Sequence, residues 1–238
     1  MPCDTTQVLH ARSAGYRLLA VFLALPNETV ARGVVEGAVR EDLAAILDEG
    51  LFGDAEKRAV LSAYDAEGAL GERGNVGSVL TALRRDYTRL FTNPEGALVP
   101  VYEAVFKGSD DFDTSRLTFV SPTALDARRS YRELGLDMSG EVHDSPDHMA
   151  AECDFACFAY RELALALEKG DGDRVEAVEG ALGRFARNHL LKWQGRFFSL
   201  VADHAATSVY RALGELGALL AQGETKAFSL RSEQDASI

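Results

Sequence analysis

Between Met149 and Leu167 the residues Met149, Cys153, Ala156, Cys157, Tyr160, Leu163, Ala164 and Leu167 recur at helical spacing. Phe155 and Phe158 fall outside that stripe and widen it. A helix apolar on more than one side has to be covered from several directions. The rest of the chain must therefore wrap around this segment, which narrows the folds open to it. The stretch that leads in, His143 to Asp147, is polar and acidic. Ser145 suits a helix cap, and Pro146 suits the first helical position, where its missing N–H is no loss. Asp147 suits the first turn, where a negative charge meets the positive end of the helix dipole. The helix is expected from Pro146 to about Lys169.

Helical spacing continues in both directions, and strand-like alternation is almost absent. A first helix is expected from about Thr6 to Leu25, where Pro26 stops it. A second runs from Glu28 to Asp48 and a third from Asp54 to Leu70. After the glycine-rich stretch Gly71 to Asn75, a fourth runs from Val76 to Phe91 with Asn75 as its cap. Pro94 and Pro100 break the pattern. A short segment, Val101 to Lys107, leads into a polar loop holding Asp110, Asp111 and Asp113. Ser121-Pro122 repeats the cap-then-proline signal and opens a helix that ends near Leu134. Beyond Lys169, Gly170 to Gly172 marks a break. Two or three helices then fill Arg174 to Ala221, with interruptions around Gly195 and Ala206-Thr207. The expectation is an all-α fold, a bundle of about eight to eleven helices. It is one domain over residues 1–222, with helical halves at about 1–134 and 146–222 joined by a connector at 135–145. Residues 223–238 are expected to form a polar, frayed tail.

With 238 residues the chain can bury a sizeable core. Its formal charge of −12 argues against a nucleic-acid partner, which draws on Lys and Arg, and suits a basic peptide. No apolar run approaches the ~18 residues that span a bilayer, so stable membrane insertion is not expected. The opening MPCDTTQ lacks the basic and apolar regions of a secretory signal, and the expected compartment is the cytoplasm. Cys153 and Cys157 lie four apart on one helix, with Cβ atoms ~5–6 Å apart, too far for a disulfide. Both read as small core residues.

Between Arg132 and Arg161 there is no Lys or Arg, while Glu133, Asp137, Glu141, Asp144, Asp147, Glu152 and Asp154 fall there. These acids read either as a solvated loop or as a site for a cationic partner. His148 lacks a capping rationale, because imidazolium is disfavoured at a helix N-terminus. Its role is either a structural hydrogen bond or a functional one. His148, Glu152 and nearby His143 supply two or three metal ligands at most, and the Glu-x-x-His pattern of a di-metal bundle is missing. No metal and no other cofactor is expected. There is no Gly-x-Ser-x-Gly elbow, and a cysteine in an apolar stripe is inert, so no catalytic residue is expected either. Tyr87, Phe91, Tyr102, Phe106 and Trp193 read as core, or as the wall of a groove for an apolar peptide.

Three motifs then fall in order: YTRLFTNPEG (Tyr87 to Gly96) leading to PVYEA (Pro100 to Ala104), SPDHMAAECDF (Ser145 to Phe155), and HLLKW (His189 to Trp193) with Val209 to Leu213 behind it. In this order and spacing the chain resembles the TorD/DmsD family of cytoplasmic chaperones, the redox enzyme maturation proteins. The resemblance covers roughly Tyr16 to Leu220, and Pro146-Asp147-His148 before an acidic, aromatic helix is its most specific part. It implies an all-helical protein without catalytic activity. Such a protein binds the twin-arginine leader of a molybdenum-cofactor oxidoreductase precursor, delays its export and assists cofactor insertion. By position, the resemblance implies roles for Tyr87, Leu90, Phe91, Tyr102, Glu103, Pro146, Asp147, His148 and Glu152. Where the family often has Pro-Tyr-Glu-Ser, this chain has Val101-Tyr102-Glu103-Ala104.

Charge and resemblance meet in one expectation. Asp147, Glu103 and neighbouring acids take the two guanidinium groups of a leader. An aromatic groove of Tyr87, Phe91, Tyr102 and Phe155 takes its apolar segment. Each Leu-sized side chain buried contributes ~1.5–3 kcal/mol, and ordering a flexible leader offsets much of the total. Binding is then moderate and releasable, by a monomer or a homodimer. The alternatives are a helical adaptor or regulator with a different protein partner, and a metal-dependent enzyme built on His143, His148 and Glu152.

Overall fold

The computed structural model describes residues 5–50, 52–66, 74–108, 121–136 and 145–235, and among them all regular structure is helical. The fold is the expected all-α bundle. In order come α1 (Thr5–Phe22), α2 (Glu28–Val35), α3 (Ala38–Glu49), α4 (Asp54–Tyr64), α5 (Val76–Tyr87) and α6 (Glu103–Phe106). They are followed by α7 (Pro122–Glu133), α8 (Met149–Lys169), α9 (Gly172–Phe185), α10 (Leu191–His204) and α11 (Ser208–Asp235). Two π-helical turns, Thr88–Thr92 and Ala186–Leu190, continue α5 and α9.

The local signals explain most of these boundaries. The side chains of Asn75 and Ser121 accept from Ser78 N and Ala124 N, each at 3.0 Å, and Pro122 opens α7. The helix expected over Glu28 to Asp48 is instead two helices. Gly37 has φ +84° and supplies the left-handed residue at which the chain turns from α2 into α3. The first helix ends at Phe22 rather than Leu25, and the third ends at Tyr64. α10 runs through Gly195 without interruption, whereas the break at Ala206-Thr207 is present.

α8 is the packed centre. It buries Met149, Cys153, Phe155, Ala156, Ala159, Tyr160, Leu163 and Ala164, two sides of the helix, as its sequence demands. α1 lies along one side and α9 along another, while α11 packs on α10, α4 and α1. A Cβ at Gly214 would stand 2.4 Å from the backbone N of Ala202, so α10 and α11 meet backbone to backbone there. One buried apolar cluster runs from Tyr16 to Phe228.

The stretch from Gly223 does not fray at once, as its polarity suggests. It continues α11 to Asp235 and buries Glu224 and Phe228. The polar pattern hides a partnership: Glu224 sits against Tyr16, Tyr160 and Arg12, which satisfy it. No helix among the described residues is long and apolar enough to cross a membrane. His143, most of the connector (137–144), the acids Asp110, Asp111 and Asp113, and Cys3 lie outside the described residues.

Candidate functional site

The start of α8 is not built as its sequence suggests. The helix begins at Met149, and the cap is His148, whose Nδ1 accepts from Ala150 N at 3.0 Å. The dipole disfavours imidazolium only. A neutral ring with its proton on Nε2 presents an acceptor, as a serine or aspartate cap does. Ser145, Pro146 and Asp147 form a turn ahead of the helix. His148 N donates to Ser145 O at 2.9 Å, and Ser145 Oγ donates to Asp147 Oδ1.

That turn is laid against the segment Val101 to Ala104. Glu103 N donates to Asp147 O and Met149 N to Val101 O, both at 2.8 Å, which pairs Tyr102 with His148 in an isolated antiparallel bridge. Ala104 N donates to Asp147 Oδ2 at 3.1 Å. The rings of Tyr102 and His148 meet edge-on with centroids 5.1 Å apart. From α7, Tyr131 Oη donates to Pro146 O at 2.6 Å. Asp147 is thus buried with a donor on each oxygen, and it clips the two segments together.

Immediately inside lie Glu103, Glu152 and His189, all buried. His189 Nδ1 is 2.6 Å from Glu103 Oε2, and Lys107 Nζ donates to Glu103 Oε1 at 2.9 Å. Trp193 Nε1 donates to Glu152 Oε2 at 3.0 Å, while Glu152 Oε1 has no hydrogen-bond partner. His189 Nε2 is 3.3 Å from Asp126 Oδ2. Burial works to raise the Glu103 carboxyl, but the hydrogen bonds and charges of His189 and Lys107 outweigh it and hold the group below its ordinary value. Burial pushes Glu152 well above its ordinary value, and the nearby charge of Glu103 adds to the rise.

Of the residues expected to form a site, the fold brings Tyr102, Glu103, Pro146, Asp147, His148 and Glu152 into this one junction. Phe155 packs behind it, 5.0 Å from Tyr131 and 4.4 Å from Phe185, ring centre to ring centre. Tyr87, Leu90 and Phe91 are buried at the end of α5 and on its π turn, on a different wall. Phe91 stacks on Phe197, and Phe197 touches Phe106 and Trp193. These aromatics are core, and only Tyr102 among the expected groove residues is partly open to solvent. The acidic interval is likewise not one open face among the described residues. Asp147 and Glu152 point inward, Glu133 pairs with Arg184, and Asp154 pairs with Arg17. Asp137, Glu141 and Asp144 lie outside the described residues. His189, Lys107 and Asp126 are not among the expected site residues, and Trp193 is expected only as core or as a groove wall. The spacing of His189 and Trp193, four apart in HLLKW, puts both on one helix face and was the available signal.

The family model for the nitrate reductase delta subunit matches residues 58–199, more than half of the chain. No curated protein matches it. Every residue of the junction, from Tyr102 through Asp147 and His148 to Trp193, falls inside the matched span. The chain belongs to the nitrate reductase delta subunit family, a TorD-type family of redox enzyme maturation chaperones.

Proposed function

We propose that this protein is a non-catalytic chaperone acting in the cytoplasm on a nitrate-reductase-type molybdenum enzyme. It holds the twin-arginine leader of the precursor, delays export and assists cofactor insertion. The observation that carries this reading is the family match over residues 58–199, which includes the whole junction. The geometry supports a particular mode. In the closed molecule both Asp147 oxygens are engaged, and Glu103 is held by His189 and Lys107. A leader arginine reaches Asp147 once the Tyr102–His148 bridge parts, and the bidentate guanidinium then replaces the Ala104 and Ser145 donors. Affinity is therefore reduced by the fraction of molecules that are closed, which keeps the complex releasable.

The test is titration calorimetry with a leader peptide from the same genome. Asp147→Asn should weaken binding by about tenfold or more, the loss of one charged hydrogen bond. Ser145→Ala removes a donor that competes with the arginines and should tighten binding. Two variants that move together in the same direction would make the turn a structural clip only. A peptide with both arginines replaced by Gln that binds as well as the original ends the arginine reading and leaves the adaptor reading in place.

One observation favours a second location for the leader's apolar segment. A groove of about 420 Å³ lies between α1, α2 and α3, with Leu18, Val21, Val30, Val39 and Ile46 among its lining and the acids Asp42 and Glu49 beside them. Unlike the junction, it is open in the closed molecule. Asp42→Asn with Glu49→Gln weakens peptide binding if the leader docks there and leaves it unchanged if the junction alone is used.

A further inference from the structure

We propose that Glu103, Glu152 and His189 form a binding site for one divalent metal ion of the zinc class. This goes beyond the chaperone reading and does not depend on it. Each of the three residues offers a ligand atom, and these atoms lie within 4.8 Å of one another. Bonds of about 2.0–2.2 Å from zinc to nitrogen and oxygen set ligand atoms roughly 3.4 Å apart, so the wider pairs close while the 2.6 Å His189 Nδ1–Glu103 Oε2 hydrogen bond opens and its proton leaves, a side-chain adjustment.

Two of the three ligands are already oriented by a partner on their other atom. Lys107 holds Glu103 by Oε1 and leaves Oε2 facing the cluster. Trp193 holds Glu152 by Oε2 and leaves Oε1, a fully buried oxygen without a hydrogen-bond partner. His189 has Nδ1 on the cluster side and Nε2 3.3 Å from the Asp126 carboxylate. A small turn of the ring would bring the Nε2–H to that carboxylate, the usual outer shell of a ligating histidine. His189 also sits on the π turn Ala186–Leu190, and such turns gather at functional positions.

Charge points the same way. Three carboxylates, Glu103, Glu152 and Asp126, surround the histidine, with Lys107 against one of them and Arg129 meeting Asp126 from the solvent side. Lys107 and Arg129 counted against the three carboxylates leave an excess of negative charge at the cluster, which suits a cation. The donor set is two oxygens and one nitrogen without thiolate, which fits zinc or another first-row ion and leaves a position for water or a further ligand. Lys107 and Asp126 are each more than a third exposed, and they mark the way in.

The test uses the full chain with its affinity tag removed, stripped with chelator and titrated with Co(II), then Zn(II). One cobalt per chain is expected, with visible d–d absorption that zinc abolishes. Glu152→Gln keeps the Trp193 contact and should lower affinity at least tenfold while melting as the wild type does. Asp126→Asn, on the rim and outside the core, should lower it by about tenfold. Glu41→Gln on the exposed face of α3 should change nothing. No uptake, no d–d bands, or wild-type affinity in both Glu152→Gln and Asp126→Asn would overturn the site. If Glu152→Gln does not fold, Asp126→Asn decides alone.

Discussion

Two clusters of polar side chains are buried in this bundle, and they are finished differently. Midway along α8, Glu224 of α11 receives Tyr160 on Oε2, while Arg12 and Tyr16 stand 3.3 and 3.2 Å from Oε1. Both of its oxygens are satisfied. At the near end, Glu152 is as deeply buried but keeps one oxygen without a hydrogen bond, and His189 Nε2 is without one too. An unsatisfied buried polar atom costs roughly 1–3 kcal/mol. A fold that closes one such network fully and leaves another open at two atoms marks the open one as the place for something else. The first cluster ties α1, α8 and α11 together; the second lies behind the turn that carries the family motif.

The largest effect is expected at the closed cluster. Glu224→Ala takes the acceptor from the Tyr160 hydroxyl, leaves Arg12 with Tyr160 and Tyr16 with Gln194, and should destabilise the fold by about 3–5 kcal/mol in urea unfolding. A loss below ~1 kcal/mol would mean that this network does not anchor α11, and the contrast would fail. Next comes Trp193→Phe at the open cluster. It removes the one donor to Glu152 and should cost about 1–3 kcal/mol. A neutral result would show that water already satisfies Glu152 and that the cluster is closed.

The smallest effect is one of pH. Burial raises the Glu224 carboxyl above its ordinary value of 4.5, against the opposing pull of Arg12 and the hydrogen bonds of Tyr160 and Tyr16. The folded protein therefore keeps a proton there that the unfolded chain releases above 4.5. Stability from this group is fully present below that pH and is lost as pH rises through the raised value, with a slope of at most about 1.4 kcal/mol per pH unit. Glu224→Gln has no such proton to lose. Its deficit relative to wild type should be larger near pH 4.5 than near neutrality. A deficit that grows toward neutral pH would mean that Arg12 dominates and Glu224 is charged throughout.

The fold class was legible in the chain because helical spacing is a local property. Asn75, Ser121-Pro122 and the two-sided apolar face of α8 act within a turn or two of themselves, and they formed as read. The site was legible only in part. Tyr102, Glu103, Asp147, His148 and Glu152 were named from motifs, and they do come together, but their direction was not visible. A carboxylate looks the same in a sequence whether it faces water or a tryptophan N–H. The cap was misread for a related reason. Ser145 and Asp147 have the right chemistry for capping, yet the pairing of residues 147–149 with residues 101–103 turns them to another task and passes the cap to His148. The polarity of the chain after Gly223 likewise concealed a glutamate whose partners lie about 64 and 208 residues away.

The sequence by itself determined an acidic, all-helical chain built around one central helix, because those properties follow from composition and from contacts between near neighbours. Only the tertiary structure decided which acids are surface and which are core. Glu103, Glu152 and His189 lie far apart along the chain and meet because α6, α8 and the turn before α10 pack against one another. The meeting of three such groups is a fact about packing, and no local pattern carries it.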